Sequence, residues 1–267
     1  AMLLASLLTT PLRLPPLRPL RRASAVHASG ALPCCEPGGP LCPTEAPQRT
    51  VAVSEATRLL LRVPEDDAVM EDYIGQAHQV ALAADDYDAA MMAHCQRAIA
   101  DEPAYWAQLW PSALALSRRL LGRPELVAGR AVAASVLATD REPRALAFAA
   151  QSAADGGFEL ATASLDWLDL DAWAAGSAET LLCADVLYGD TAAAELAPLL
   201  DHLVPAGGSA LVADNADRPY GDRHRQELRE LLGARGFVVT AEERVATELS
   251  TRQGERFAIQ LVELTKV

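Results

Sequence analysis

A shortage of residues constrains this chain more than any other feature of its sequence. Residues 136–139 form a short apolar run that can only be a buried strand or a fragment of one, and the run ends at Asp140. A strand–helix–strand unit needs about 30 residues, yet only the nine residues 131–139 lie between Arg130 and Asp140. A preceding strand with a glycine-rich turn therefore has no room in front of Asp140.

Beyond Asp140, strand-like runs alternate with segments of helical spacing. The central runs are apolar throughout, which is typical of parallel strands covered by helices on both faces. The last two runs have no helix between them. The sequence therefore predicts an α/β fold with a mostly parallel sheet and a terminal antiparallel hairpin. The strands are predicted at 158–165, 180–187, 209–213, 237–241 and 257–264, and the helices at 112–122, 142–154, 191–203 and 222–234. Ser112 is expected to cap the first of these helices and Asp190 the third.

The chain divides further by composition. The first 35 residues hold four arginines and no acid, which is typical of an organelle transit peptide. We expect a transit peptide at 1–29 and a chloroplast destination, with a mitochondrion as the alternative and an inconsequential disordered tail as the plainer interpretation. Residues 30–48 are a Pro/Gly-rich linker. Residues 49–111 are expected to form an N-terminal helical extension, and residues 112–267 the main domain.

Charge and cysteine usage restrict the partners. A net charge of −13 disfavours nucleic acid, because phosphate binding depends on clustered Lys and Arg. The same charge favours a basic partner, such as a lysine-bearing protein segment. No apolar stretch approaches the roughly 18 residues of a membrane helix. The five cysteines lack the paired spacing and nearby histidines of a zinc site, so we expect neither a metal nor a disulfide framework.

Four short motifs follow one another along the chain: YWAQLWPS at 105–112, ATD at 138–140, LDW at 165–167 and ADVLY at 184–188. This order resembles the class I, seven-strand methyltransferases that use S-adenosylmethionine. Within that class the chain is similar to the group of protein lysine methyltransferases that includes the electron-transfer flavoprotein β-subunit enzyme. The likeness covers about residues 55–264. It implies a Rossmann-like seven-strand sheet with a truncated or absent first strand, S-adenosylmethionine as cofactor, and a protein substrate with an accessible lysine.

The resemblance suggests which residues bind the cofactor. Asp140, at the end of the second strand, is placed to accept both ribose hydroxyls; a helix cap or a solvated strand end is the alternative. Asp166 would accept from the adenine amino group and Trp167 would stack on its ring, with simple packing as the alternative for the tryptophan. Trp110 is expected to contact the cofactor in preference to Trp106. Anchoring in the core is the alternative for both.

The ADVLY motif is expected to serve the transfer step. In the group that the chain resembles, this motif lies at the carboxyl edge of the fourth strand, where open α/β sheets bind ligands. Ala184 would contact the cofactor there. A lysine amine has a pKa of about 10.4 and must lose its proton before it attacks. Asp185 is expected to hold and orient the amine, and Tyr188 to form a wall of the site. An acid on an otherwise apolar strand is costly to bury without a purpose.

The shortened segment leaves three interpretations open. Where the resembled group has an acid and several glycines, this chain reads GRAVAAS at 129–135, so we expect weak cofactor binding or none. The chain is a working lysine methyltransferase with an improvised first strand at 131–137, a catalytically inactive relative that acts as a binding module, or a nicotinamide-dependent oxidoreductase. The oxidoreductase interpretation is disfavoured because the sequence lacks the expected G-x-G-x-x-G motif. A small-molecule methyltransferase is a variant of the first, because acceptor choice depends on loops such as 166–177 and 214–222.

Overall fold

The computed structural model of the protein describes residues 41–93, 105–127, 137–158, 160–248 and 255–267. Residues 87–93 are also helical. No helix in these ranges is long and apolar enough to cross a membrane. The strands are β1 (Gln48–Ala52), β2 (Arg58–Arg62), β3 (Leu137–Asp140), β4 (Ala161–Ser164), β5 (Thr180–Ala184), β6 (Ser209–Asn215), β7 (Phe237–Glu248) and β8 (Arg256–Lys266). The helices are α1 (Asp66–Leu82), α2 (Pro111–Gly122), α3 (Pro143–Asp155), α4 (Ala192–Leu203) and α5 (Gly221–Gly233).

The first described elements are a hairpin and a helix. β1 and β2 pair in the antiparallel sense, with Gln48 opposite Arg62. β2 is bound to α3, because Arg62 N donates to Ser152 Oγ at 2.9 Å and the Arg62 guanidinium pairs with Asp155 at 2.5 Å. The region 49–111 therefore contains a hairpin as well as helix. Neither β1 nor its pairing with β2 was predicted from the sequence.

Two groups of parallel strands lie at the centre of the molecule. β3 and β4 pair in parallel, with Asp140 opposite Ser164 at their carboxyl ends. β5 and β6 also pair in parallel, and β8 joins β6 in the antiparallel sense, which gives the order β5–β6–β8–β7. Within the described part of the chain these are two separate sheets. Apart from Leu137, the improvised first strand predicted at 131–137 lies outside the described residues.

Helices cover both faces of the four-stranded sheet, as predicted. Side chains alternate along β6, so that Leu211 and Ala213 pack in one cluster with α2, whereas Ala210 and Val212 pack in another with α4 and α5. α3 lies against β2, β3 and β4. Burial on both faces of the sheet removes apolar surface from water, which is the main stabilising contribution in such a fold. The predicted α/β class and its terminal antiparallel hairpin are confirmed.

Three element boundaries differ from the predicted ones. α2 begins at Pro111, so Ser112, the predicted cap, is a buried residue inside the helix. α4 is preceded by Thr191 at its N-cap, where Asp190 was predicted. β5 ends at Ala184 and does not continue to residue 187. The cause of this early end is the backbone of Asp185, whose φ of 54° is incompatible with an extended strand.

Candidate functional site

Asp185 lies directly after β5, at the carboxyl end of the four-stranded sheet. Its φ of 54° is left-handed, a conformation that Asp and Asn tolerate better than most other non-glycine residues. Its backbone N–H donates to Ala213 O of β6 at 2.8 Å, which holds the turn against the sheet. The residue is only 3% exposed. The turn therefore ends the strand and keeps the carboxylate within the protein.

The two carboxylate oxygens of Asp185 have different surroundings. Oδ1 accepts a hydrogen bond from Arg218 Nη2 at 3.1 Å. Oδ2 is buried and has no hydrogen-bond partner among the described residues. Leaving a buried charged oxygen without a partner costs free energy. Oδ2 is therefore an acceptor that a bound ligand can use.

Arg218 bridges two buried acids. Its Nη1 lies 3.2 Å from Asp214 Oδ1, while its Nη2 donates to Asp185. The second oxygen of Asp214 is paired with Arg225 Nη1 of α5 at 2.7 Å, and Arg225 also pairs with Asp222 at 2.5 Å. Burial raises the pKa of Asp214 to about 6; Arg218 and Arg225 oppose the rise, and the charge of Asp185 adds to it.

Asp140 and Asp166 lie together at the carboxyl end of β3 and β4. Asp140 is half-buried, and its Oδ1 accepts from Glu142 N at 2.9 Å at the start of α3. Asp166 is exposed, and its Oδ1 accepts from Leu168 N at 2.9 Å. A bond from Leu165 N to Asp140 O at 3.1 Å joins the two strand ends. The two acids predicted for ribose and adenine thus share one edge, each with one oxygen held by a local backbone amide.

The tryptophans of the predicted site differ in burial. Trp106 is 7% exposed, its ring centroid lies 5.7 Å from that of Phe148, and the Arg144 guanidinium lies 4.6 Å from the centre of the ring. These contacts place Trp106 in the core that anchors the start of the domain. Trp110 is half-buried and directly precedes α2. Trp167 is half-buried and packs on the hydrophobic cluster beneath α4.

The other two predicted residues flank Asp185 along the chain. Ala184 is 3% exposed, and its side chain packs with Ala113 and Leu116 of α2. Contact with a cofactor would therefore involve its backbone. Tyr188 is 51% exposed, three residues after the buried carboxylate. The ADVLY motif thus runs from the core to the surface within five residues.

A shared hydrophobic cluster brings the two strand edges together. Leu165, which follows β4, packs in the same cluster as Val186 and Leu187, which follow Asp185. Trp167 packs against this cluster from the loop after β4. The residues that follow β4 and those that follow β5 therefore belong to one hydrophobic cluster.

Sequence reasoning missed the charged partners of Asp185. Asp214, Arg218 and Arg225 lie 29, 33 and 40 residues beyond it, and no spacing rule connects side chains that meet through tertiary packing. The one signal in the sequence is Asp214 itself, an acid that directly follows the apolar run LVA of β6. The same reasoning that selected Asp185, an acid at the end of a buried strand, applies to Asp214.

The described residues contain no cluster of three or more His, Cys, Asp or Glu side chains arranged to hold a metal ion. Burial raises the pKa of the Cys183 thiol to about 12. The thiolate, which is the nucleophilic form, is therefore suppressed at neutral pH. Cys183 lies within β5 and contributes to the core under α4.

Comparison with known proteins gives matches at the level of structure. No protein-family profile matches the sequence, and no curated protein matches it. A protein whose structure was reported with the conversion of a disulfide bond into a thioacetal group during echinomycin biosynthesis is 15% identical, with a TM-score of 0.42. That match covers 49% of this chain and 66% of the other.

Two other matched structures are methyltransferases. A SAM-dependent methyltransferase from Methanosarcina mazei is 11% identical over 49% of this chain and 82% of its own, with a TM-score of 0.41. Geranyl diphosphate C-methyltransferase from Streptomyces coelicolor is 12% identical over 55% of this chain and 67% of its own, with a TM-score of 0.39. The latter was solved with geranyl diphosphate and S-adenosyl-L-homocysteine.

Proposed function

We propose that this chain transfers a methyl group from S-adenosylmethionine to the side-chain amine of a protein lysine. The observation that carries the proposal is Asp185 Oδ2, a buried carboxylate oxygen without a partner in the described structure, at the carboxyl edge of a parallel strand pair. Ligands of open α/β sheets bind at this edge. An amine N–H is a donor that such an oxygen can accept.

The carboxyl edge of β3 and β4 suits the nucleoside part of S-adenosylmethionine. Asp140 and Asp166 each have one oxygen on a local backbone amide, and carboxylates there can accept from ribose hydroxyls and from the adenine amino group. Trp110 and Trp167 are half-buried aromatic residues whose rings suit the adenine ring or the sulfonium. The cofactor supplies an electrophilic methyl group on a positively charged sulfur.

Within this site the protein acts mainly by positioning. Asp185 Oδ2 accepts a hydrogen bond from the amine, which aims the remaining lone pair, and Tyr188 forms a wall beside it. The amine lone pair forms a bond to the methyl carbon as the carbon–sulfur bond breaks, and the electrons of that bond stay on sulfur. The N-methylammonium product then loses its proton to water.

The charge of the chain supports a protein acceptor. With a net charge of −13 the surface attracts basic segments and repels nucleic-acid phosphates. A lysine within a basic segment meets both requirements: long-range attraction to the surface and an amine for Asp185. A small-molecule amine is the second candidate for the methyl acceptor, because it could donate the same hydrogen bond to Asp185.

The direct test is transfer of radiolabelled methyl groups from S-adenosylmethionine to organelle extract by the full chain. The matched variants are Asp185→Asn, which keeps the shape and the left-handed backbone, and Asp190→Asn, whose carboxylate is 86% exposed. We expect label in protein lysines with the wild type and Asp190→Asn, and about 100-fold slower labelling with Asp185→Asn. Label confined to metabolites would contradict the protein acceptor, and no label despite cofactor binding would indicate a binding module.

Self-labelling is a small background in this assay. Lys266 is the only lysine of the sequence. Its amine lies 2.6 Å from Asp201 Oδ1 and donates to Val204 O at 3.1 Å, at the end of α4. Labelled lysine in the products therefore reports an acceptor other than the enzyme chain.

A further inference from the structure

Arg218 is held in place by the turn that follows β6. Its backbone N–H donates to Asn215 O at 3.3 Å, and the preceding Asp217 N–H donates to Asn215 Oδ1 at 3.0 Å. From this turn the side chain, 18% exposed, extends to Asp185 and Asp214 and also lies 3.4 Å from Leu187 O. The guanidinium is therefore fixed beside the carboxylate that the proposed function assigns to the acceptor amine.

The charges around Asp185 balance. Among the described residues, Asp185 and Asp214 are the two acids with nearly no exposed surface, and Arg218 and Arg225 are their cationic partners. Asp222 also pairs with Arg225, but its side chain is 97% exposed, so solvent screens its charge. The buried set thus carries two negative and two positive charges.

Within the described part of the chain, no ion pair joins Asp185 to α5. On that helix Arg223 and His224 face Asp190, at 3.0 and 3.6 Å. The counter-charge of Asp185 among the described residues is therefore Arg218, at 3.1 Å.

This balance matters for the reaction because only the neutral amine has a lone pair. Free lysine titrates at about pH 10.4. An isolated buried carboxylate would stabilise the ammonium form further and hold the acceptor unreactive, since an opposite charge within about 4–6 Å shifts a pKa by 1–3 units. A cation already paired with that carboxylate removes much of this effect and leaves Oδ2 as a hydrogen-bond acceptor.

We propose that Arg218 is a positioning residue that neutralises Asp185, so that the acceptor nitrogen is received as an uncharged amine. The inference rests on the proposed methyl transfer and adds a residue that the motif does not contain. Arg218 acts through Asp185, to which it donates a hydrogen bond, and Asp214 anchors its other nitrogen. Arg225 holds the second oxygen of Asp214, so that acid is itself fixed from α5.

The first measurement is the pH dependence of kcat/KM for methyl transfer by the full chain. Arg218→Gln should move the rising limb upward by about one pH unit, because the acceptor ammonium then faces an uncompensated carboxylate. Arg218→Lys, which keeps the charge, should leave the midpoint near that of the wild type. Arg244→Gln, an arginine 58% exposed and paired with Asp217, is the control. A lower kcat at an unchanged midpoint in Arg218→Gln would overturn the proposal in favour of a merely structural clamp.

The second measurement needs no turnover. Butylamine, a mimic of the lysine side chain, is titrated into the wild type and Arg218→Gln at pH 7, with butanol as the uncharged probe. We expect the variant to bind the ammonium about tenfold more tightly and butanol equally well. Equal butylamine affinities contradict the role of Arg218. Altered butylamine affinity without any methyl transfer by the wild type contradicts the proposed function and leaves the electrostatic inference intact.

A third measurement covers the case in which Arg218→Gln fails to fold. The pKa of bound ¹⁵N-labelled butylamine is measured by NMR in the wild type alone. A bound value at or below that of the free amine is expected, since the site carries no net charge. A value raised by one unit or more, or the absence of any amine binding, contradicts the proposal.

Discussion

The two strand edges of this protein hold their acids in opposite ways. At the edge of β3 and β4, two strands of four residues each, Asp140 ends β3 and Asp166 lies two residues after β4; both acids are partly or fully open to solvent and bonded to local backbone amides. At the edge of β5 and β6, Asp185 and Asp214 are buried and paired with arginines from later in the chain. The first edge suits a ligand that arrives from solvent. The second is organised before any ligand binds.

Packing explains this difference. β6 is seven residues long and buried on both faces, so Asp214 near its end and Asp185, bonded to Ala213 of β6, leave water when the sheet forms. Their charges then require partners, and Arg218 and Arg225 supply them. β3 has only one buried residue, Ala138, and Leu137 is 39% exposed. Its terminal acid, Asp140, stays near water and accepts a hydrogen bond from Glu142 N at the start of α3.

The largest expected effect breaks the buried network through Arg225→Met. The substitution removes one partner of Asp214, which is 1% exposed, and leaves a buried carboxylate less compensated. We expect the free energy of unfolding to fall by about 3 kcal/mol, measured by urea denaturation. Arg223→Met, which removes a neighbouring arginine whose side chain is 61% exposed, should cost less than about 1 kcal/mol. Equal losses would contradict the contrast between buried and exposed pairs.

The second prediction concerns pH and stability. Burial raises the pKa of Asp214 from 3.8 to about 6, so between these values the folded state binds a proton that the unfolded state has released. Stability contributed by this group therefore falls as pH rises from about 4 to about 6, by up to about 3 kcal/mol. Urea denaturation of the wild type and Asp214→Asn across this range isolates the effect. We expect the wild type to lose stability relative to the variant as pH rises; a constant difference would refute the raised pKa.

The third prediction separates the two edges by function. Asp185→Asn should lower kcat for methyl transfer about 100-fold. Such a loss is expected when an enzyme group that orients the reacting amine in the transition state is removed. Affinity for S-adenosylmethionine should stay the same, because the acids that we propose for the cofactor lie at the other edge. Steady-state kinetics with labelled cofactor, together with equilibrium dialysis, measure both. A variant that loses cofactor affinity and retains kcat would reverse the assignment of the edges.

The smallest effect is expected at the open edge. Asp140→Asn keeps an acceptor for Glu142 N but loses one charged acceptor for a ribose hydroxyl. We expect affinity for S-adenosylmethionine to fall about tenfold with stability nearly unchanged, by equilibrium dialysis and urea denaturation. Asp169→Asn, an exposed acid of the loop after β4, serves as control. Unchanged affinity in Asp140→Asn would assign that acid to capping alone.

Local patterns predicted most of the fold. The apolar run of β6 and the closing hairpin of β7 and β8 were predicted because hydrophobic periodicity and turn-forming residues are signals that neighbouring positions of the sequence contain. β1 was missed because only Val51 of its five residues is buried, and one buried residue cannot show the alternating pattern that identifies a strand. Ser112 was predicted as a cap from residue type alone, whereas packing buries it inside α2.

The candidate site was predictable where the acid itself lies at a strand end. Asp140, Asp166 and Asp185 were selected on that ground, and their cofactor and catalytic roles stay predictions. The left-handed backbone of Asp185 leaves no local signal, because the sequence DVLY permits a continued strand. Arg218 meets Asp185 across 33 positions of chain through the turn after β6. Such pairs depend on tertiary packing and become visible only in the folded structure.

The measurement that tests the account most directly is calorimetric titration of S-adenosylmethionine into the folded full chain, beside Asp140→Asn and Asp185→Asn. The account predicts saturable binding by the wild type, weaker binding by Asp140→Asn, and wild-type affinity in Asp185→Asn. That pattern would show that the cofactor is bound at the edge of β3 and β4 and leaves Asp185 to the acceptor. No saturable heat from folded wild-type protein would contradict the central claim that this chain is a methyltransferase.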